Sequence, residues 1–126
     1  MSDQAKTVLV AINDIFFYTK LRDALLPQGY KLERARTQED FAAKAAAGLD
    51  AVVMNLNDFG LDPFRALTFL KADPLLAKVP VLAFANHEEV ETWQRAKTLG
   101  VSKIVSRNEF SARTGALVQE ILGARR

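Results

Sequence analysis

Five short apolar runs separated by amphipathic stretches constrain this chain more than any other feature. Val8-Leu9-Val10-Ala11-Ile12 lacks period-two alternation and predicts a strand buried on both faces. Asp14 to Leu26 follows with Phe17, Leu21, Ala24 and Leu25 at helical spacing, and Pro27-Gln28-Gly29 stops it. Tyr30 to Ala35 alternates in part and predicts a second strand. Thr37 is placed to N-cap the next helix, with Asp40 three residues on in a near capping-box arrangement. That helix runs to Ala47 and ends at Gly48. Ala51 to Asn55 reads as the third strand. Pro63 suits a helix first turn, and Phe64, Leu67, Phe69 and Leu70 carry that helix to Lys71, before Asp73-Pro74 breaks it. Val81 to Phe84 is the fourth strand, Glu88 to Leu99 the fourth helix, Lys103 to Ser106 the fifth strand and Glu109 to Leu122 the fifth helix. Five βα units in succession predict a parallel sheet covered by helices on both faces, wound by right-handed crossovers.

A chain of 126 residues can build one sizeable core, and no linker, repeat or low-complexity tract divides it. The expectation is a single domain over 1–126, its core about residues 6–122, with no separate output domain. The net charge of +2 is spread along the chain, so no basic block argues for a nucleic-acid partner. Absence of cysteine excludes disulfides, thiolate metal sites and Cys nucleophiles, and one histidine cannot build a multi-histidine zinc site. No apolar stretch is long enough to span a membrane, and Met1-Ser2-Asp3-Gln4 is unlike a signal peptide, so a cytoplasmic protein is expected. Gly123 to Arg126 is expected to fray, with Arg125-Arg126 a solvated tail.

Several pieces of the chain share one family's pattern. They are Gly29-Tyr30 before the second strand, Asp50 to Asn55 leading into the Gly60 turn with Asp62, and Leu70-Lys71-Ala72-Asp73-Pro74 leading to Val79-Pro80-Val81. Ala96 to Gly100 is a further piece. Their joint spacing, without gaps from Val8 to Asn108, resembles the response-regulator receiver domain of bacterial signalling. The resemblance implies a flavodoxin-like, doubly wound α/β/α fold with strand order 2-1-3-4-5.

Receivers phosphorylate themselves on an aspartate closing the third strand, with magnesium held by an acidic pair after the first. The matching acceptor position holds Asn55, a neutral amide where the chemistry needs an anionic oxygen nucleophile. Ile12 and Asn13 stand where the acidic pair would, with Asp14 next door, and magnesium demands hard oxygen ligands. Asn57 keeps the position that lends the metal a backbone carbonyl. The switch hydroxyl corresponds to Ala85, the switch aromatic to Ile104, and the phosphate-pairing lysine to Arg107. Asn108 replaces the proline that follows a cis bond, so a trans bond and a differently shaped loop are expected. The resemblance therefore implies a degenerate pseudo-receiver, with no catalytic residue, metal or cofactor. Asn55 and Arg107 are placed to hydrogen-bond and lock one conformation. The alternatives are phosphorylation at an unusual carboxylate, Asp14 or Asp58, or a small-ligand sensor in the altered pocket. Asp58 otherwise reads as a solvated loop acid.

The expected role is phosphorylation-independent binding of another signalling protein, with homodimerisation open. The family's output face implies an interface of Val90, Trp93, Lys97, Lys103, Arg107 and Arg113. Trp93 has two open placements, an exposed anchor or a cover over the core edge. Ile15 and Phe16 either plug the vacant metal pocket or pack ordinarily, and Phe59 is either exposed at its mouth or tucked beneath the loop. His87 is expected to be exposed.

Overall fold

A computed structural model describes residues 5–123. The expectations for Met1 to Gln4 and for 124–126 lie outside the described residues. The chain alternates β1 (Thr7–Ala11), α1 (Ile15–Leu25), β2 (Lys31–Arg34), α2 (Gln38–Ala46) and β3 (Ala51–Asn55). It continues through α3 (Pro63–Ala72), β4 (Val81–Ala85), α4 (Val90–Thr98), β5 (Lys103–Ser106) and α5 (Arg107–Gly123). All five strands are parallel in the order β2-β1-β3-β4-β5, the flavodoxin-like order. The register sets Val8 beside Ala51, Val52 beside Val81 and Leu82 beside Lys103.

Successive strand residues point to opposite faces, so the apolar runs feed two cores. Leu9, Val52, Met54, Val81 and Ala83 pack with Phe41, Leu67, Leu70 and Ala96 from α2, α3 and α4. Val8, Val10, Ile12, Val53, Leu82 and Phe84 pack with Leu21, Leu25, Phe110, Leu117 and Ile121 from α1 and α5. Phe84 stacks on Phe110 at 4.1 Å between centroids, and Phe17 tilts against Phe84 at 5.0 Å. Each such fully buried large side chain stabilises the fold by about 1.5–3 kcal/mol.

The helix ends follow from local chemistry. Asp14 caps α1 by accepting from the amides of Phe16 and Phe17, Thr37 caps α2 by accepting from Asp40, and Asp62 caps α3 ahead of Pro63. Two short 3₁₀ turns, Leu26–Gln28 and Leu76–Lys78, were not expected. Gly29 closes the first at φ 91°, a conformation that favours glycine. The helix expected from Glu88 starts only at Val90. The one expected from Glu109 starts at Arg107, because the Ser106 hydroxyl accepts from the Glu109 amide at 3.1 Å. Ser106-Arg107-Asn108-Glu109 is itself a Ser-x-x-Glu capping sequence. The expected loop around Asn108 is thus a helical turn, and no cis bond occurs among the described residues. Arg113 has non-helical angles, φ −131° and ψ 29°, and kinks α5.

Candidate functional site

In a parallel α/β sheet the loops at the carboxyl ends of the strands form the natural site. Here β1, β3 and β4 deliver Ile12-Asn13, Asn55 and Ala85 to that end. Ile12 is completely buried in the α1/α5 core, so it faces away from the loop end. Asn13 faces the loop after β3. Its backbone amide donates to Asp58 Oδ1 at 2.7 Å and its side-chain Nδ2 donates to Asp58 Oδ2 at 2.8 Å. Nδ2 also reaches the carbonyl of Arg36 at 3.2 Å, while Arg36 Nε donates back to Asn13 Oδ1 at 3.1 Å. Arg34 donates to the carbonyls of Ile12 and Asn13, both at 3.1 Å, and its guanidinium lies 4.2 Å from the Tyr18 ring centroid. Both Asp58 oxygens are therefore committed across the β1–α1 and β3–α3 loops, and Asp58 is half-buried. This corrects its reading as a solvated loop acid. The knot also requires Gly60, where a Cβ would come within 2.5 Å of Asn13 Nδ2 and 3.2 Å of the Arg36 carbonyl.

Asn55 is buried, and its Oδ1 accepts from the Asn57 amide at 2.9 Å. Arg107 is exposed and makes no bond to Asn55, so the expected Asn55–Arg107 lock is absent. The loops are locked elsewhere. Asn57 Oδ1 accepts from the Asn86 amide at 2.9 Å, and its Nδ2 donates to Glu89 Oε1 at 2.8 Å. Thr92 also donates to Glu89, at 3.1 Å. The Trp93 indole N–H donates to the Asn86 carbonyl at 3.0 Å. Trp93 is half-buried and packs on the α2–α4 core, so it covers the core edge while its N–H clamps the β4–α4 loop. Ala85 is fully buried, and Ile104 is partly buried against the same core.

Ile15 (63% exposed), Phe16 (57%) and Phe59 (80%) all face outward. Ile15 and Phe16 are therefore more than half exposed and are not buried as a plug. His87 is exposed as expected. On α4, Val90 and Lys97 are exposed, whereas Lys103 of β5 and Arg113 of α5 converge on Glu120. Arg113 also pairs with Glu109 at 2.7 Å. Its hydrogen bond to Glu109, followed by the charge of Glu120, raises its pKa above the ordinary guanidinium value. A cavity of about 210 Å³ lined by Asn86, His87, Glu88, Ser106, Arg107 and Asn108 lies beyond β4 and β5. It falls below the ~300 Å³ of ordinary ligand pockets.

The fold recurs in solved proteins. The phosphorylated cyanobacterial phytochrome response regulator RcpA superposes with TM-score 0.81 at 16% identity, over 95% of this chain and 96% of its own. The receiver domain of a sensor histidine kinase from Pseudomonas aeruginosa, with a magnesium ion in its active-site cleft, gives 0.81 at 17%, over 94% and 98%. Chemotaxis response regulator CheY4 of Vibrio cholerae gives 0.77 at 19%, over 93% and 98%. The chain has the receiver fold. No family model and no curated protein sequence matches it.

A magnesium ion of the kind that fold can hold does not fit these residues. Ile12 offers no oxygen ligand, Asp14 holds the α1 amides through Oδ1, and both Asp58 oxygens accept from Asn13. Among the described residues no group of three or more His, Asp or Glu side chains is placed to hold a metal. No described helix is long and apolar enough to cross a membrane.

Proposed function

We propose that this chain is a pseudo-receiver that acts in signalling or regulation by binding another protein, independently of phosphorylation. One observation carries the reading: the carboxylates nearest the acceptor position are consumed in building the fold. Asp58 joins two loops through Asn13, Asp14 caps α1, and Asn55 turns its own oxygen onto the Asn57 amide. Phosphoryl transfer to a carboxylate needs a free anionic nucleophile and a counter-cation for the developing charge. Asn55 supplies no anionic oxygen, and both Asp58 oxygens already accept from Asn13. Asp14 and Asp58, the alternative acceptors, are disfavoured for the same reason.

The switch positions support the same conclusion. Receiver signalling depends on a hydroxyl, an aromatic and a lysine that answer to the phosphoryl group. Here Ala85 and Ile104 are packed into a core, and Arg107 points to solvent. A module of this kind acts through a surface that a partner selects, by differential affinity rather than by chemistry. No catalytic residue is assigned, and a cytoplasmic location accords with the reading.

The test is affinity recovery of partners from the source organism, with and without magnesium and a small-molecule phosphodonor. The same specific partner at the same yield in both conditions is expected. Recovery only with the phosphodonor, or no specific partner in either condition, would overturn the reading.

A further inference from the structure

We propose that the groove between α2 and α3 is a homodimer interface, in which a second copy of this chain seats its Phe69 and pairs Glu39 with Arg65 by two-fold symmetry. The interface stands apart from the binding of another protein, which needs no second copy.

The groove has a volume of about 270 Å³. Its floor is Phe41 and Ala66, both buried, with half-buried Ala42 beside them. Phe69 lines it too, 40% exposed and edge-on to Phe41 at 6.5 Å between centroids. Gln38 ties the starts of the two helices together. Its Oε1 accepts from the Asp62 amide at 2.7 Å, and its Nε2 donates to the Asp62 carbonyl at 3.3 Å. Ala46, one turn past Ala42, and Ala72, one turn past Phe69, are also exposed. A phenyl ring beside a shallow groove with alanines in its lining is a knob beside a hole, and two copies can exchange knobs.

Charge selects the occupant. Glu39 and Arg65 are the charged residues lining the groove, and both are exposed. Neither side chain pairs with another described residue. Arg65 sits in the first turn of α3, where the helix dipole disfavours a cation, so helix stability does not account for it. One acid and one base make the rim self-complementary. In an isologous dimer Glu39 of one copy meets Arg65 of the other, and symmetry supplies the reciprocal pair. A uniformly acidic or basic segment laid on the same rim would leave one like-charge contact. With 9 and 10 residues, α2 and α3 are each about 15 Å long and together about 20 Å wide. A face of that size is at the low end of specific interfaces, so micromolar affinity is expected.

The experiment is sedimentation velocity of the full chain at about 5–500 μM, a range that brackets micromolar dissociation. A concentration-dependent monomer–dimer equilibrium is expected. Glu39→Arg and Arg65→Glu should each raise the dissociation constant at least about tenfold, because each sets like charges together at both ends of the interface. An equimolar mixture of the two variants should dimerise like the parent, since each supplies the charge that the other lacks. The double variant should dimerise alone for the same reason. Both side chains are exposed and unpaired, so the urea midpoint of each single variant should match the parent's. A monomer at every concentration, association beyond a dimer, a dimer indifferent to either single variant, or weakened variants that do not recover on mixing would each overturn the interface. None of these results bears on whether another protein is bound.

Discussion

Replacing Asp58 by alanine tests whether that carboxylate holds the fold together or merely faces solvent. It accepts from the Asn13 amide at 2.7 Å and from Asn13 Nδ2 at 2.8 Å, joining loops 45 residues apart. A hydrogen bond to a charged group contributes about 1.5–3 kcal/mol when its partner is deleted and water cannot replace it. Asp58 is half-buried, so water recovers part of that, and a loss of about 2–3 kcal/mol in all is expected. For a chain of this size that corresponds to a fall in Tm on the order of 10 °C. Equilibrium urea unfolding reads it as a lower midpoint at unchanged slope. Glu88→Ala, at a side chain 78% exposed, serves as the control and should stay within about 0.5 kcal/mol of the parent. The cycle Asn13→Ala, Asp58→Ala and the double variant should give a coupling of at least about 1 kcal/mol. Asp58→Ala indistinguishable from Glu88→Ala, or additive single variants, would refute the staple.

Ile12→Asp restores one acidic position but puts a carboxylate where Ile12 is 0% exposed. It should cost about 3 kcal/mol or more in urea unfolding, and a change under about 1 kcal/mol would mean that the side chain can turn into the loop end. Trp93→Phe keeps the packing and deletes the donor to the Asn86 carbonyl, so a loss of about 1 kcal/mol is expected; unchanged stability would show that the indole N–H does not clamp the loop. Burial raises the pKa of Tyr30 above its ordinary value. The folded state therefore holds the phenol proton more tightly, and that contribution is complete below about pH 10 and lost as pH rises through the folded value. Tyrosinate absorbance should show a late-titrating component that Tyr30→Phe removes, and its persistence in that variant would contradict the assignment.

The elements were legible because their signals are local. The apolar run Ala51 to Asn55 and the Thr37 cap fall where the sequence puts them. Gly60 and Asp62 also occupy the structural positions that their turn and cap chemistry require. The two 3₁₀ turns carry no apolar periodicity that would mark them in the sequence. The early start of α5 had a signal, the Ser106–Glu109 capping sequence, that the helical periodicity from Glu109 onward hid.

At the site, the receiver resemblance assigned Asn13, Asn55, Asn57 and Ala85 to one end of the sheet but could not pair them. Asp58 reads as a loop acid until Asn13 is brought to it from 45 residues away. Arg34 and Arg36 carry no sequence signal as site residues, because their role depends on β2 lying beside β1. Trp93 could not be placed from helical spacing alone. Its position is decided by a carbonyl seven residues earlier, and such a bond can be read only from the loop geometry. Ile15, Phe16 and Phe59 were singled out in the sequence, but exposure depends on what packs over a residue, which spacing does not record.

The most direct measurement is the intact mass of the wild-type chain and of Asn55→Asp after incubation with magnesium and acetyl phosphate. With Asp58 and Asp14 committed to the fold and Ile12 and Ala85 buried, neither protein should gain mass. A gain of one phosphoryl group on the wild type would contradict phosphorylation-independent action, and a gain on Asn55→Asp alone would show that the loop end still holds magnesium.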